Sequence, residues 1–167
     1  TSIIGLDISK TSKLSTAAIY SEITSLSLAC IGMIALLSIL QSRIGKIDMK
    51  TTSGIAANMP KLSVLMLWFI IAAAGFPMTS GFISEDLVLS SIYSSKVLFV
   101  LITISMSLFG YVGVNTYSHI FFGEPKLRTE GVYVDIKGTQ LIAVSLLALS
   151  IVFFGLFPKM FLILAGL

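Results

Sequence analysis

Apolar residues run along this chain in four long blocks, at about 15–40, 62–93, 97–122 and 140–157. Short polar stretches separate them. Crossing a hydrocarbon core as a helix takes about 20 apolar residues, and each block comes close to that or exceeds it. None alternates with period two over ten residues, as a membrane barrel strand would. Backbone groups in lipid need internal partners, so the blocks predict helices. The expected fold class is an all-α membrane protein with four to five transmembrane helices. Residues 1–14 carry Asp7, Lys10 and Lys13 and read as an interfacial lead-in or the tail of a truncated helix. Residues 15–167 read as one transmembrane helical domain, without an internal repeat, a low-complexity tract or a linker.

The second block departs from the simple pattern. As one helix its roughly 32 residues would be about 48 Å long, more than the core thickness. It contains "GFPMTSG", with Gly75, Pro77 and Gly81. Pro77 removes an N–H and clashes with the preceding turn, and the glycines ease irregular backbone. A broken helix follows: a first half from Leu62 to about Ala74, an unwound link, and a second half starting near Ser84. Irregular backbone at membrane depth is tolerated only against protein or a wet cavity, and transport proteins use such breaks to place polar groups near the midplane.

Two acids, Glu85 and Asp86, follow the break. With Ser84 as N-cap both would lie in the first turn, where the helix dipole favours carboxylates. Burial opposes ionisation. A carboxyl group between these influences is suited to take up and release a proton, and an ionisable residue at depth commonly marks a proton relay. Glu85 is the main candidate. Asp86 and Glu22 are the further candidates for proton translocation: Asp86 otherwise reads as a capping partner, and Glu22 in the first block as a near-interface residue reaching water. A competing reading places the break at headgroup level, with Ser84-Glu85-Asp86 as an ordinary helix start. Its first half would then span with too few residues.

Composition narrows the picture. The chain is 56% hydrophobic and 11% charged, with a mean hydropathy of +1.00, too apolar for a soluble domain of 167 residues. A net charge of +3 gives no footprint for nucleic acid. With four spans, the loops 41–61 and 123–139 share one side. That side holds Arg43, Lys46, Lys50, Lys61, Lys126, Arg128 and Lys137, against Lys10, Lys13, Lys96 and Lys159 on the other. The excess favours a matrix or cytoplasmic location for the long loops, with Lys61 as an anchor there. His119 reads as a helix-end residue or a water-path contact. The methionines suit core packing better than metal ligation, and Trp68, Tyr93 and Tyr111 suit packing or an interface belt. One cysteine, Cys30, and one histidine offer no metal or cluster site, and no phosphate loop or nucleophile triad is present. No catalytic or cofactor-binding residue is therefore expected. The chain opens on Thr1 without a signal-peptide pattern, so it reads as processed or as a piece of a longer chain.

The stretch "RIGKIDMKTTSGIAANMPKLSVLMLWFIIAAAGFPMTSGFISEDLVL" resembles the C-terminal part of the antiporter-like subunits of respiratory complex I. The matching elements are Arg43, Asp48, Gly54-Ile55-Ala56, Met59-Pro60, Gly75-Phe76-Pro77, Gly81-Phe82 and Glu85. Further on, "YSHIFFGEP" resembles the family's Phe-Gly helix end and "GLFPKMF" its closing Gly-x-x-Pro, so the likeness covers roughly 26–165. Among the subunits, chain 4 carries a glutamate where Glu85 stands, chain 5 a lysine followed by aspartate, and chain 2 Gly-Lys-Phe. The chain therefore looks most like chain 4, although Asp86 echoes chain 5. The family often has a His-Gly pair in the helix before the basic loop. Here Leu26-Ser27 stands at that place, and Glu22 lies one turn away.

The resemblance implies a proton-translocating membrane-arm subunit of NADH:ubiquinone oxidoreductase, with Glu85 as terminal carrier of a half-channel. It implies a non-redox part of an enzyme complex, with flavin mononucleotide, iron–sulfur clusters and ubiquinone bound elsewhere. A full chain-4 subunit has about fourteen helices, so the expectation is a split or partial subunit. Its partners would be a chain with the missing N-terminal helices, a chain-5-like neighbour, other membrane-arm subunits and lipid, in the mitochondrial inner membrane. Two alternatives remain: a subunit of a cation/proton antiporter without a redox arm, and a structural membrane anchor.

Overall fold

A computed structural model of the chain describes residues 2–45, 54–93, 95–123, 134–157 and 159, with side chains from Thr16 onward. Several expectations lie outside the described residues. These are Thr1, the loop positions Lys46, Asp48, Lys50, Glu124, Pro125, Lys126 and Arg128, the stop at Pro158, and the side chains of Asp7, Lys10 and Lys13.

Every regular element among the described residues is helical. In chain order they are α1 (Ser2–Ile44), α2 (Ile55–Asn58), α3 (Pro60–Ala73), α4 (Ser80–Ile92), α5 (Lys96–Phe121) and α6 (Gly138–Leu156). Three stretches are long and apolar enough to cross a bilayer: Thr16–Ile44, Lys96–Phe121 and Gly138–Leu156. The chain is an all-α membrane protein. Its outer faces are apolar, with Val97, Leu101, Ile104 and Leu108 of α5 and Ile142, Leu146 and Leu149 of α6 exposed. Side chains of this kind suit lipid or further helices.

The 62–93 block is indeed two helices. Pro60 opens α3, where its missing N–H is harmless. Helix α3 stops at Ala73, and α4 begins at Ser80 after a link that contains Pro77. The second half thus starts four residues before Ser84, which is a correction to the expected boundary. Thr79 occupies the N-cap position in extended conformation, but its hydroxyl donates to the Phe76 carbonyl at 2.6 Å and bonds no helix N–H. Ser84 lies inside α4 and donates to the Gly81 carbonyl at 2.9 Å. Expecting a cap at Ser84 treated "TSGFI" as link, whereas the turn closes at Thr79. The four-residue α2 was also missed, within a stretch read as loop.

Four N–H groups of the link find partners in or next to it. Ala74 N–H donates to Ile70 O at 3.1 Å, Gly75 N–H to Ala72 O at 3.3 Å, Phe76 N–H to Ile71 O at 3.0 Å and Thr79 N–H to Phe76 O at 3.1 Å. Pro77 has no N–H to place. Two residues take the left-handed region, Gly75 (φ 70°) and Met78 (φ 75°). A left-handed conformation costs an L-residue about 1–2 kcal/mol, so Met78 holds strain that Gly75 avoids.

The described ends of both long loops meet at one end of the bundle. Gly54 N–H donates to Phe122 O at 3.3 Å. Arg43, in the last turn of α1, donates to the Val134 carbonyl and to Gln140 Oε1, the latter at 3.0 Å. The Asp135 carboxylate accepts from the N–H groups of Lys61 (2.9 Å) and Leu62 (3.2 Å), capping α3 from a distant segment. One loop segment thereby ties the ends of α1, α3 and α6. The core beneath holds Leu36, Leu40, Met59, Leu62, Phe69, Phe121 and Ile136. Ser63 and Tyr117 share a buried hydrogen bond of 2.6 Å between α3 and α5.

Candidate functional site

The neighbours of the break fix its depth. Helix α5 is continuous over 26 residues, about 39 Å. Gly110 lies near its middle, and a Cβ there would meet the Ala74 Cβ at 3.2 Å. The break therefore sits halfway along a helix long enough to cross the membrane. Gly155, near the end of α6, packs on the Met78 carbonyl, and Gly81 packs on the Ala72 carbonyl, with no room for a Cβ at either place. Thr79 and Ser80 are buried behind the link, while Phe76, Pro77 and Met78 are exposed on its outer side.

Glu85 is the sixth residue of α4, not part of its first turn. The dipole influence fades within that turn, so the expected pull of the helix start on Glu85 and Asp86 does not hold. Space positions the carboxyl group instead. A Cβ on Gly75 would overlap the Glu85 carboxyl, so the side chain folds back over the bare backbone of the link. Gly75 thus has two roles, since its positive φ bends the chain and its missing side chain makes room for the acid.

Two cavities meet at Glu85. The first, of about 190 Å³, lies between α1, α3, α4 and α5 and is lined by Glu22, Leu26, Ala73, Glu85, Ser105, Met106 and Phe109. The second, of about 380 Å³, lies along α5 and is lined by Glu85 with Thr103, Ser107, Gly110 and Tyr111 among others. Glu22 and Glu85 share the first cavity and interact electrostatically. The Glu22 Oε2 atom is buried without a hydrogen-bond partner, as is the Trp68 indole N–H.

Of the residues expected from sequence, Glu85, Glu22 and Gly75 come together at the first cavity, with Pro77 and Gly81 shaping the link beside them. Asp86 does not join them. It is exposed, one position and about 100° further round α4, and caps no helix. His119 is exposed in the last turn of α5, at the loop end. Lys61 is exposed at the start of α3 and contributes its backbone N–H to Asp135. Among the described residues no three His, Cys, Asp or Glu side chains gather as a metal site would need.

Sequence reasoning missed the seam that holds α4. Ser21, Ser25, Ser80 and Ser84 are all buried between α1 and α4, and Ser80 Oγ donates to Ser25 Oγ at 3.4 Å. The signal was present: Ala17, Ser21, Ser25 and Ala29 repeat a small residue every four positions. In membranes such a stripe lets two backbones approach closely.

The geometry defines a helical membrane protein with a carboxylate held at a helix break beside the middle of α5. The chain belongs to the NADH:quinone oxidoreductase/Mrp antiporter transmembrane family, whose family model matches residues 3–110. That match includes most of the 1–14 segment and the whole break, and ends ahead of "YSHIFFGEP". The NADH-ubiquinone oxidoreductase chain 4 of Chondrus crispus is 34% identical over 114 residues, 68% of this chain and 23% of its own length. The NADH-quinone oxidoreductase subunit M of Rickettsia conorii is 32% identical over 107 residues, 64% of this chain and 22% of its own. The F(420)H(2) dehydrogenase subunit M of Methanosarcina mazei is 29% identical over 122 residues, 72% of this chain and 24% of its own. The match thus spans less than a quarter of these relatives.

Proposed function

We propose that this chain supplies a proton-translocating half-channel to a chain-4-like (subunit-M-like) membrane-arm subunit of NADH:quinone oxidoreductase, with Glu85 as the proton carrier. One observation carries the reading: the Glu85 carboxyl lies over Gly75 at the helix break and faces a cavity on either side. A carboxyl group placed so can accept a proton from one cavity and release it to the other. An ionisable residue inside a membrane is costly and is commonly retained for such transfer.

Iron–sulfur clusters do not fit the thiols of this chain. A four-thiolate cluster needs four cysteines, and the chain has only Cys30. Flavin mononucleotide, iron–sulfur clusters and ubiquinone belong, on this reading, to other subunits. The partners are the remaining membrane-arm subunits, including a chain-5-like neighbour and the helices that complete the chain-4-like unit. The membrane is the mitochondrial inner membrane, a location supported by the relative named chain 4. The family description also covers antiporters, so a cation/proton antiporter subunit is the second reading.

Glu85→Gln tests the carrier role in the assembled complex. NADH-driven proton translocation through this channel should fall by on the order of a hundredfold, as expected when a proton-transfer group is lost. Normal translocation in an assembled Glu85→Gln complex would refute the role. Recovering the chain with no flavin- or iron–sulfur-bearing subunits, but with cation-dependent proton exchange, would favour the antiporter reading.

A further inference from the structure

We infer that Glu22 and Glu85 act as one pair, exchanging a proton through water held in the cavity between them. The inference rests on the reading of Glu85 as a proton carrier and adds the group with which it exchanges. The family resemblance marks a His-Gly pair in this helix rather than a carboxylate. The structure puts one there, on α1, across a cavity of about 190 Å³ from Glu85. That volume holds several waters, and the lining offers polar partners in Glu22, Glu85 and the Ser105 hydroxyl.

A purely structural glutamate at this depth would be expected to bond a neighbouring donor. Buried polar atoms nearly always have a partner, and exceptions often mark a catalytic role or a water position. Yet Glu22 Oε2 is buried without one. Nearby hydroxyls do not serve it: Ser21 Oγ donates to the Ala18 carbonyl at 2.9 Å and Ser80 Oγ to Ser25 Oγ at 3.4 Å. A cavity water can donate to Glu22 while accepting from Glu85. In the exchange the Glu85 carboxyl gives its proton to the water oxygen. The same water gives one of its own protons to the Glu22 carboxylate. The negative charge moves from Glu22 to Glu85, and nothing is oxidised or reduced.

The second cavity gives the pair a direction. Glu85 lines both cavities, whereas Glu22 lines only the first. On the far side, the Thr103 and Ser107 hydroxyls donate to the Phe99 and Thr103 carbonyls at 2.8 and 2.9 Å. Their oxygens remain as acceptors for water in that cavity. Glu22 is thus the inner store, and Glu85 the group that exchanges with both sides.

The test uses the assembled complex in sealed membranes, comparing Glu22→Gln, Glu22→Asp and Glu85→Gln. It reads NADH-driven proton translocation and the infrared band of the protonated carboxyl that Glu85→Gln removes. Glu22→Gln should lower translocation by at least about tenfold, as for a lost proton-transfer partner, and displace that band, while Glu22→Asp restores most of the rate. Ser105→Leu keeps both acids but fills their cavity with an apolar side chain, so it should reproduce the loss even where Glu22→Gln fails to assemble. Normal translocation and an unmoved band in Glu22→Gln, or normal translocation in Ser105→Leu, would overturn the pair. If Glu85→Gln alone abolishes translocation, the carrier reading survives and the pair falls. If Glu85→Gln translocates normally, the carrier reading falls and the pair with it.

Discussion

Helices α3 and α4 together cover much the same depth as α5, but they do it differently. Helix α5 crosses without interruption over 26 residues, and its hydroxyls at Thr103 and Ser107 bond back to its own carbonyls. The other path stops after 14 residues, turns through Gly75, Pro77 and Met78, and resumes for 13. Along this stretch the continuous helix turns its hydroxyls back on its own backbone. The broken one sets a carboxyl beside an exposed backbone turn and between two cavities. Gly75 lacks the Cβ that would overlap the Glu85 carboxyl, so the glycine at the break is what makes room for the acid.

The largest expected effect comes from removing that room. Gly75→Val places a branched side chain where the Glu85 carboxyl sits and imposes a left-handed φ on a β-branched residue. The backbone term is about 1–2 kcal/mol, and overpacking adds about 1–3 kcal/mol. The variant should lose most of its assembly, measured by the yield of intact complex in mild detergent, while Gly75→Ala should assemble better yet still displace Glu85. As a control on the continuous helix, Gly113→Ala in α5, whose Cβ would meet Ile70 Cγ2 at 3.0 Å, should be milder in both respects. Equal effects at the two positions would erase the distinction between the two paths.

The contrast also separates what the sequence could tell from what it could not. The spans of α5 and α6 follow from apolar run length alone. The break follows from Gly75 and Pro77, because proline's missing N–H and glycine's freedom are properties of single residues. The start of α4 was misplaced because Ser84 looks like a cap, and only the fold shows Thr79 closing the turn and Ser84 buried against α1. Glu85 stood out as an acid in an apolar block. Its nearness to Glu22, 63 positions earlier, depends on how α1 packs on α4, which no local pattern reports. Asp135 gave no signal either, since its partners are backbone N–H groups at the start of a helix more than seventy residues before it.

That cap supports the shorter path. Helix α3 has only 14 residues, and Asp135 satisfies two of its leading N–H groups. Asp135→Ala should cost about 0.5–2 kcal/mol, the usual range for a lost N-cap. Asp135→Asn keeps an acceptor and should cost less. Hydrogen exchange should show faster exchange at Lys61 and Leu62 with little change in the first turn of α5, where no side chain caps the helix. Uniform protection across both helix starts would show that α3 does not depend on the cap.

The smallest effect belongs to the seam behind the break. Ser25 and Ser80 meet at 3.4 Å, a long contact, and both are almost fully buried. Interhelical hydrogen bonds in membranes average about 0.6 kcal/mol, and Ser25→Ala also keeps the small volume that lets α1 and α4 approach. Ser25→Ala should therefore shift the denaturation midpoint of the complex only slightly, whereas Ser25→Leu, which removes the same bond but adds bulk, should separate the helices and disturb Glu22 one turn away. If alanine proves as damaging as leucine, the hydroxyl rather than the small volume holds α4 in place. The polar seam would then matter to the broken path in a way that Thr103 and Ser107, which bond back within α5, do not matter to the continuous one.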